Sequence, residues 1–379
     1  MTLKVLHIVE NLDRGAVENW LVRMLRHARR RGVEIEWTFY CALGRRGVLD
    51  DEARALGARV IHSPVPVDQK INFARALRKE LRHGAYDVMH CHHDLVSSLY
   101  LLAATGISIR KRIVHVHNAD ESLPTSSRLK QSLYREPMRR VCLTASDCIV
   151  GISNHTLDTF LAGRPRRPGR DLVHYYGVDA TPFESIGVDR VDFRQNLKLP
   201  ADAIIMLFAG RLVPEKNSVY AVDVLARLKR MLPQAVAVFA GAGSQEQAVL
   251  RRTQELGVEC SVRLVGWRND LPKVMVCSDL FILPHPDQPM EGFGLAVVEA
   301  ALAGLRMLLS RGIPDDPLLP TAIYRRVPLA AGALAWAEAA SELLAGPAAS
   351  RNDALDALKA SPMNMDRALK DLQTLHLHG

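Results

Sequence analysis

The chain has 379 residues, is 48% hydrophobic and 24% charged, and carries a net charge of +8 at neutral pH. That is enough apolar material for a sizeable core and more length than one core usually holds, so two domains are expected. No apolar run approaches the roughly 18 residues of a membrane span, the opening MTLKVLHIVEN turns polar too early for a secretory leader, and six cysteines without a CxxC pair read as small buried residues of a reducing compartment.

Residues 3–9, LKVLHIV, form a near-continuous apolar run, the pattern of a strand buried on both faces of a parallel sheet. The polar loop from Asn11 to Glu18 leads into an amphipathic helix closed by Gly32. Strands EIEWTFYC and ARVIHSP follow, with the helix GVLDDEARALG between them. The helix INFARALRKELRHG precedes a strand over 87–91, and VSSLYLLAATG precedes one over 112–117. A helix near 128–143 and a short strand over 148–152 complete this series. Residues 163–200, rich in Gly, Pro and Arg, carry the domain boundary, placed near 180. The alternation then restarts with a strand over 204–210, the loop from Arg211 to Asn217, and the helix SVYAVDVLARLKRML. Strands AVAVFAG, SVRLVG (followed by Trp267) and LFILP come next, then Glu291-Gly-Phe-Gly294, the apolar helix LAVVEAALAG and a strand over 307–309. Residues 334–345 and 353–375 read as helices, the last crossing back onto the first domain. The expected architecture is α/β: a Rossmann-like domain over 1–180, a second over 181–355, and a C-terminal helix within 356–379.

The positive charge is unevenly placed. Residues 1–180 hold 28 Lys and Arg against 19 Asp and Glu; the remainder holds 21 against 22. Basic clusters stand at Arg29-Arg30-Arg31, Arg45-Arg46, Arg110-Lys111-Arg112, Arg139-Arg140 and Arg164 to Arg170. They make either a solvated arginine-rich surface or a face that meets anionic lipid or an anionic acceptor. No helix-turn-helix, zinc-finger spacing or RNA-binding aromatic motif accompanies them, so nucleic acid is not an expected partner.

Several residues stand where chemistry is expected. Arg211 and Lys216, just past Gly210 at the end of a strand, are two cations on one loop at the edge where open α/β sheets bind ligands. A forked guanidinium and an ammonium suit a diphosphate, although an ordinary charged loop has the same composition. Glu291 and Glu299 flank a glycine-marked helix start whose amides attract anions. On one helix they would lie ~12 Å apart, too far for a glycosidase pair, which needs about 5–9.5 Å. That spacing fits two carboxylates gripping the ends of an extended ligand, or one satisfying the helix dipole and one in solvent. His7, His90, His92, His93, His115 and His117 all stand on or beside first-domain strands. A metal cluster is one reading of them, and core or supporting histidines the other. His117 differs in ending a strand before the polar loop Asn118-Ala-Asp120-Glu121. Gly241-Ala-Gly243 reads as a tight turn without a cofactor, and no DxD offers a divalent-metal clamp.

Together these residues resemble a retaining glycosyltransferase of family 4, with the GT-B fold of two doubly wound Rossmann-like domains facing a central cleft. The resemblance rests on Ala209-Gly-Arg-Leu-Val-Pro-Glu-Lys216-Asn and Glu291-Gly-Phe-Gly-Leu-Ala-Val-Val-Glu299, an E-x7-E motif. Asn11 to Glu18, Ile113 to His117 and Gly177-Val-Asp179 support it, and the strand ending in HxHN is similar to the capsule and exopolysaccharide branch. The resemblance implies that Arg211 and Lys216 bind the donor diphosphate and stabilise the leaving group. Glu291 would hold sugar hydroxyls, the amides of Phe293, Gly294 and Leu295 the phosphate, and Glu299 the ribose. Trp267 and Arg268 would meet the base, His117 the donor sugar, and Gly15 with Ala16 the phosphate and acceptor. A UDP-sugar donor, a glycan or lipid-linked acceptor and no required metal are implied; the cysteines and the basic first half add the expectation of a cytoplasmic enzyme, peripheral on the inner membrane face if that charge meets anionic lipid. Two positions depart from the pattern: Ala16 replaces a second glycine, and Gly304-Leu-Arg306-Met replaces a Gly-x-Pro-Val turn. They keep two other readings open, a non-catalytic nucleotide- or glycan-binding protein and a sugar-nucleotide epimerase.

Overall fold

The computed structural model of the chain describes residues 2–118, 128–184, 186–187 and 189–377, apart from the side chains of 128–132. Ala119, Asp120 and Glu121 lie outside the described residues. The chain divides into two compact units, Met1–Gly177 with Met365–Gly379, and Val178–Asn364.

The first unit carries a seven-stranded sheet, all of its pairings parallel, in the order β3-β2-β1-β4-β5-β6-β7. Its strands are β1 (Lys4–Val9), β2 (Glu36–Cys41), β3 (Arg59–His62), β4 (Val88–Cys91), β5 (Lys111–Val116), β6 (Cys148–Gly151) and β7 (Asp171–Val173). Side chains alternate between faces along each strand, and here the alternation sorts two chemistries. Leu6, Ile8, Met89, Cys91, Val114 and Val116 pack into an apolar core with Phe73, Leu77, Tyr100 and Leu157. The intervening positions hold His7, His90 and His115, all fully buried, with His92 and His117 just past their strands. Trp20, on the helix Ala16–Arg30, and His376, on the helix Met365–Leu377, lie against these histidines.

The second unit holds a six-stranded sheet, order β10-β9-β8-β11-β12-β13, again parallel. Its strands are β8 (Ile204–Ala209), β9 (Ala235–Ala240), β10 (Val262–Gly266), β11 (Leu280–Leu283), β12 (Arg306–Leu309) and β13 (Tyr324–Arg326). β9 and β11 are buried along their whole length, as their unbroken apolar sequences require. In both sheets the strand order reverses beside the first strand, between β1 and β4 and between β8 and β11. Ligands of open α/β sheets bind at the carboxyl ends flanking such a reversal, so the loops after these four strands are where function is expected.

Some elements differ from the sequence reading. β7, β13 and the helix Asn154–Leu161 fall in stretches to which the sequence reading assigns no element. The helix is set by a capping box, Ser153 and Thr156 exchanging side-chain and backbone bonds at 3.0 Å. The span read as one helix over 353–375 is two, Arg351–Ala360 in the second unit and Met365–Leu377 in the first. Five cysteines are buried and Cys260 is exposed, against the expectation that all six are core residues. Several arginines of the basic clusters bond backbone carbonyls of neighbouring helices and loops. Arg29 donates to the carbonyls of Leu56 and Ile35, Arg110 to His376, Arg167 to Leu143, and Arg170 to Asp147 and Ser146. Among the described residues no helix is long and apolar enough to cross a membrane.

Candidate functional site

In the second unit the loop after β8 is held by backbone. Gly210 N–H donates to the carbonyl of Ala240, Leu212 to Ala242, and Gly241 to Gly266, at 2.8–3.0 Å. The approach is close enough that a Cβ on Gly241 would stand 1.9 Å from the Gly210 carbonyl oxygen, and Gly241 also has φ of +149°. The GxG at 241–243 therefore seats one loop against another and fixes where Arg211 begins. A 3-10 turn, Pro214–Lys216, follows. Asn217 closes it in the left-handed conformation, its side-chain amide donating to the Pro284 carbonyl at 3.0 Å, which ties the loop after β8 to the end of β11.

That tie brings Lys216 to Glu291. The ammonium and the carboxylate form a direct ion pair, both largely shielded from water. His285 Nε2 lies 3.7 Å from the same carboxylate oxygen. Burial works against ionisation of Glu291, but the charges of Lys216, His285 and Arg211 outweigh it and hold the carboxyl below its usual range. Burial pushes His285 down, toward the neutral imidazole, with Glu291 opposing. Arg211 itself is exposed. Glu291 precedes the helix Leu295–Leu302, and its backbone N–H donates to the Gly312 carbonyl at 2.8 Å. Gly294, in the left-handed region, turns the chain into this helix without a side-chain cap, and its carbonyl accepts from Val297 N–H at 2.9 Å. Leu295 opens the helix, Phe293 is buried behind the turn, and Glu299 lies part-buried within it. The structure thus gathers Arg211, Lys216, Glu291 and His285 beside the start of this helix. Trp267 and Arg268 stand apart, past β10. Trp267 is exposed, and Arg268 is paired with Asp270 at 2.6–2.7 Å.

In the first unit His117 follows β5 and is buried. Its Nδ1 lies 2.8 Å from the Tyr176 hydroxyl and its Nε2 3.0 Å from His92 Nδ1, so both ring nitrogens are engaged inside the unit. Its backbone N–H donates to Asp94 Oδ1 at 2.7 Å, and Asn118 donates its side-chain amide to the other oxygen. Asp94 follows His92-His93 past β4 and fixes the main chain at the end of the neighbouring β5. The sequence reading passed over it because its role depends on strand order. Gly15 caps the helix Ala16–Arg30, and Ala16 is its exposed first residue, a position that accommodates a methyl group. Glu18, in the first turn of this helix, enters the sequence reading only as the end of the loop from Asn11. Burial, with Glu10 and Asp13 nearby, raises its pKa to about 7, against a backbone hydrogen bond and His93 that lower it. His93 in turn contacts Glu10 at 3.0 Å.

Two family models match the chain. "Glycosyltransferase Family 4" covers residues 17–181 and "Glycosyl transferases group 1" covers residues 189–314. Among curated relatives, an Escherichia coli UDP-Gal:alpha-D-GlcNAc-diphosphoundecaprenol alpha-1,3-galactosyltransferase is 26% identical, over 69% of this chain and 67% of its own. The capsular polysaccharide biosynthesis glycosyltransferase CapH of Staphylococcus aureus is 23% identical, over 79% and 78%. Among solved structures, Anabaena HepE in complex with UDP-glucose superposes with a TM-score of 0.77 at 18% identity, covering 98% of this chain and 99% of that one. Two parallel doubly wound units with these matches make the chain a member of glycosyltransferase family 4, on the GT-B fold.

Proposed function

We propose that this glycosyltransferase moves a hexose from a UDP-sugar to a glycan or lipid-linked acceptor with retention of anomeric configuration, in the assembly of a surface polysaccharide or glycoconjugate. The observation that carries this reading is the Lys216–Glu291 ion pair, with Arg211 beside it and an uncapped helix start next to it. A diphosphate entering there takes over the ammonium from Glu291 and meets Arg211 and the positive end of the helix. Glu291 is then left to accept hydrogen bonds from sugar hydroxyls. As the nucleoside diphosphate departs, its β-phosphate gains a second negative charge against cations already in place, which is where such groups lower a barrier. With two fixed cations and no DxD motif, the donor diphosphate does not call on a divalent ion, so added Mg²⁺ or Mn²⁺ leaves the rate unchanged. Glu299, Trp267 and Arg268 serve the nucleoside end of the donor. His117, its ring spent on His92 and Tyr176, serves through the position of its main chain, alongside the Gly15–Ala16 turn.

The relatives' named donors and acceptors guide the test. The protein is incubated with a panel of UDP-sugars, with and without a polyprenol-diphosphate-linked monosaccharide, and both donor loss and product are followed. Acceptor-dependent UDP release is expected, with Arg211→Ala and Glu291→Ala each slower by about 100-fold or more. Equal turnover by these variants would overturn the assignment. UDP release with an epimerised free sugar and no acceptor would replace it, and an inverted product by NMR would remove the retaining part. The surplus positive charge of residues 1–180 supports docking on an anionic membrane surface.

A further inference from the structure

The first sheet carries a layer of histidines whose rings the proposed sugar transfer does not use. His7, His90, His92, His115, His117, His174 and His376 are all buried. Their rings are linked nitrogen to nitrogen: His7 Nδ1 to His92 Nε2 at 3.0 Å, His90 Nδ1 to His376 Nε2 at 3.0 Å, and His90 Nε2 to His115 Nδ1 at 3.1 Å. Strand register produces the layer. His7 and His90 are direct partners across β1 and β4, and the HxH spacing of β4 and β5 repeats on the same face. His376 then closes over it from the helix Met365–Leu377. Such a layer is costly unless every nitrogen is used, and here His7 Nε2 and His115 Nε2 are buried without a hydrogen-bond partner.

We propose that His7, His90 and His376 bind a divalent first-row transition-metal ion of the zinc class. These three residues each offer a ring nitrogen within 4.8 Å of the others. Ligands at 2.0–2.1 Å from a tetrahedral zinc lie roughly 3.3 Å apart, so the 3.0 Å between His90 Nδ1 and His376 Nε2 needs to open by only a few tenths of an ångström. An all-imidazole donor set selects this class of ion over Mg²⁺ or Ca²⁺, which take oxygen. The remaining nitrogens are placed as supporting contacts: His7 Nδ1 reaches His92, and His90 Nε2 reaches His115. Access is present as well. A cavity of about 310 Å³ is lined by His376 together with Thr2, Leu3, Glu34 and Gln373, and it has room for a water or hydroxide as fourth ligand. Arg110 and Lys111 oppose a cation here, and Glu34 supplies charge of the opposite sign. The site is separate from the donor diphosphate, for which no metal is invoked.

The test uses the full chain without a polyhistidine tag, stripped with a chelator and dialysed against Zn²⁺ or Co²⁺. We expect about one ion per chain by elemental mass spectrometry, a rise in thermal midpoint with added Zn²⁺, and intense tetrahedral d–d bands for Co²⁺. His90→Gln and His376→Ala should abolish uptake, while His83→Ala, an exposed histidine elsewhere in the unit, should retain it. A stripped chain that takes up neither ion overturns the proposal and leaves a purely hydrogen-bonded imidazole layer. So does uptake that survives His376→Ala or is lost in His83→Ala. Should His90→Gln fail to fold, the Co²⁺ spectrum of the unaltered chain and the His376→Ala result still decide.

Discussion

Removing Lys216 leaves a shielded carboxylate without its partner. Lys216→Met should therefore destabilise the second unit by about 3 kcal/mol, as broken partly buried pairs do, whereas Lys216→Met with Glu291→Gln should recover most of that loss in a double-mutant thermal-unfolding cycle. Glu18 gives a pH signature of the opposite kind. Its folded pKa, about 7, lies above the ordinary 4.5, so the folded state holds the proton more tightly. Below pH 4.5 the group contributes no penalty, and between 4.5 and 7 stability falls as pH rises, by up to about 3 kcal/mol. Glu18→Gln should flatten that slope in thermal unfolding measured across the window. The charged residues were legible in the sequence because strand ends and a glycine-marked helix start announce themselves locally. Asp94 was not, since it acts on His117, brought near by strand order, and His285 was not, since only the folding of its own loop turns its ring toward Glu291. The histidines of β1, β4 and β5 were visible one by one, but the member that closes the layer, His376, comes from the far end of the chain.

At the level of elements, continuous apolar runs such as LFIL and AVAVFA identify central strands, because both of their faces are buried. β7 and β13 lack that signature. They are three-residue edge strands without a continuous buried run, and only pairing with a neighbour makes them strands. The strand order made the donor loops predictable, but not how those loops are fixed. The close approach of Gly241 to the Gly210 carbonyl is a property of two loops, and a GxG spacing alone does not reveal it. Gly241→Ala should force that contact apart, costing about 1–3 kcal/mol and slowing transfer by displacing Arg211. Thermal unfolding paired with UDP-sugar binding would show both effects together, and a variant with unchanged midpoint and affinity would refute the seating role.

Over the whole molecule, the surplus of positive charge in the first 180 residues is the largest asymmetry. Several of its arginines bond carbonyls or carboxylates of their own unit, and those that donate to neutral carbonyls keep their charge uncancelled. Flotation with vesicles rich in anionic lipid should therefore be seen at low salt and lost at high salt; binding insensitive to either would count against a membrane role. The helix Met365–Leu377, which lays Leu369, Leu372, Leu375 and His376 into the first unit, also sets an order of events during synthesis. A ribosome makes the first 177 residues early, yet the element that covers their histidine face is supplied only after the entire second unit has been translated. The second unit can reach its native state while still tethered, whereas the first must wait with its sheet half covered until the last helix emerges. Chains released after Asn364, without the helix Met365–Leu377, should therefore show a protease-resistant second unit and a protease-sensitive first one.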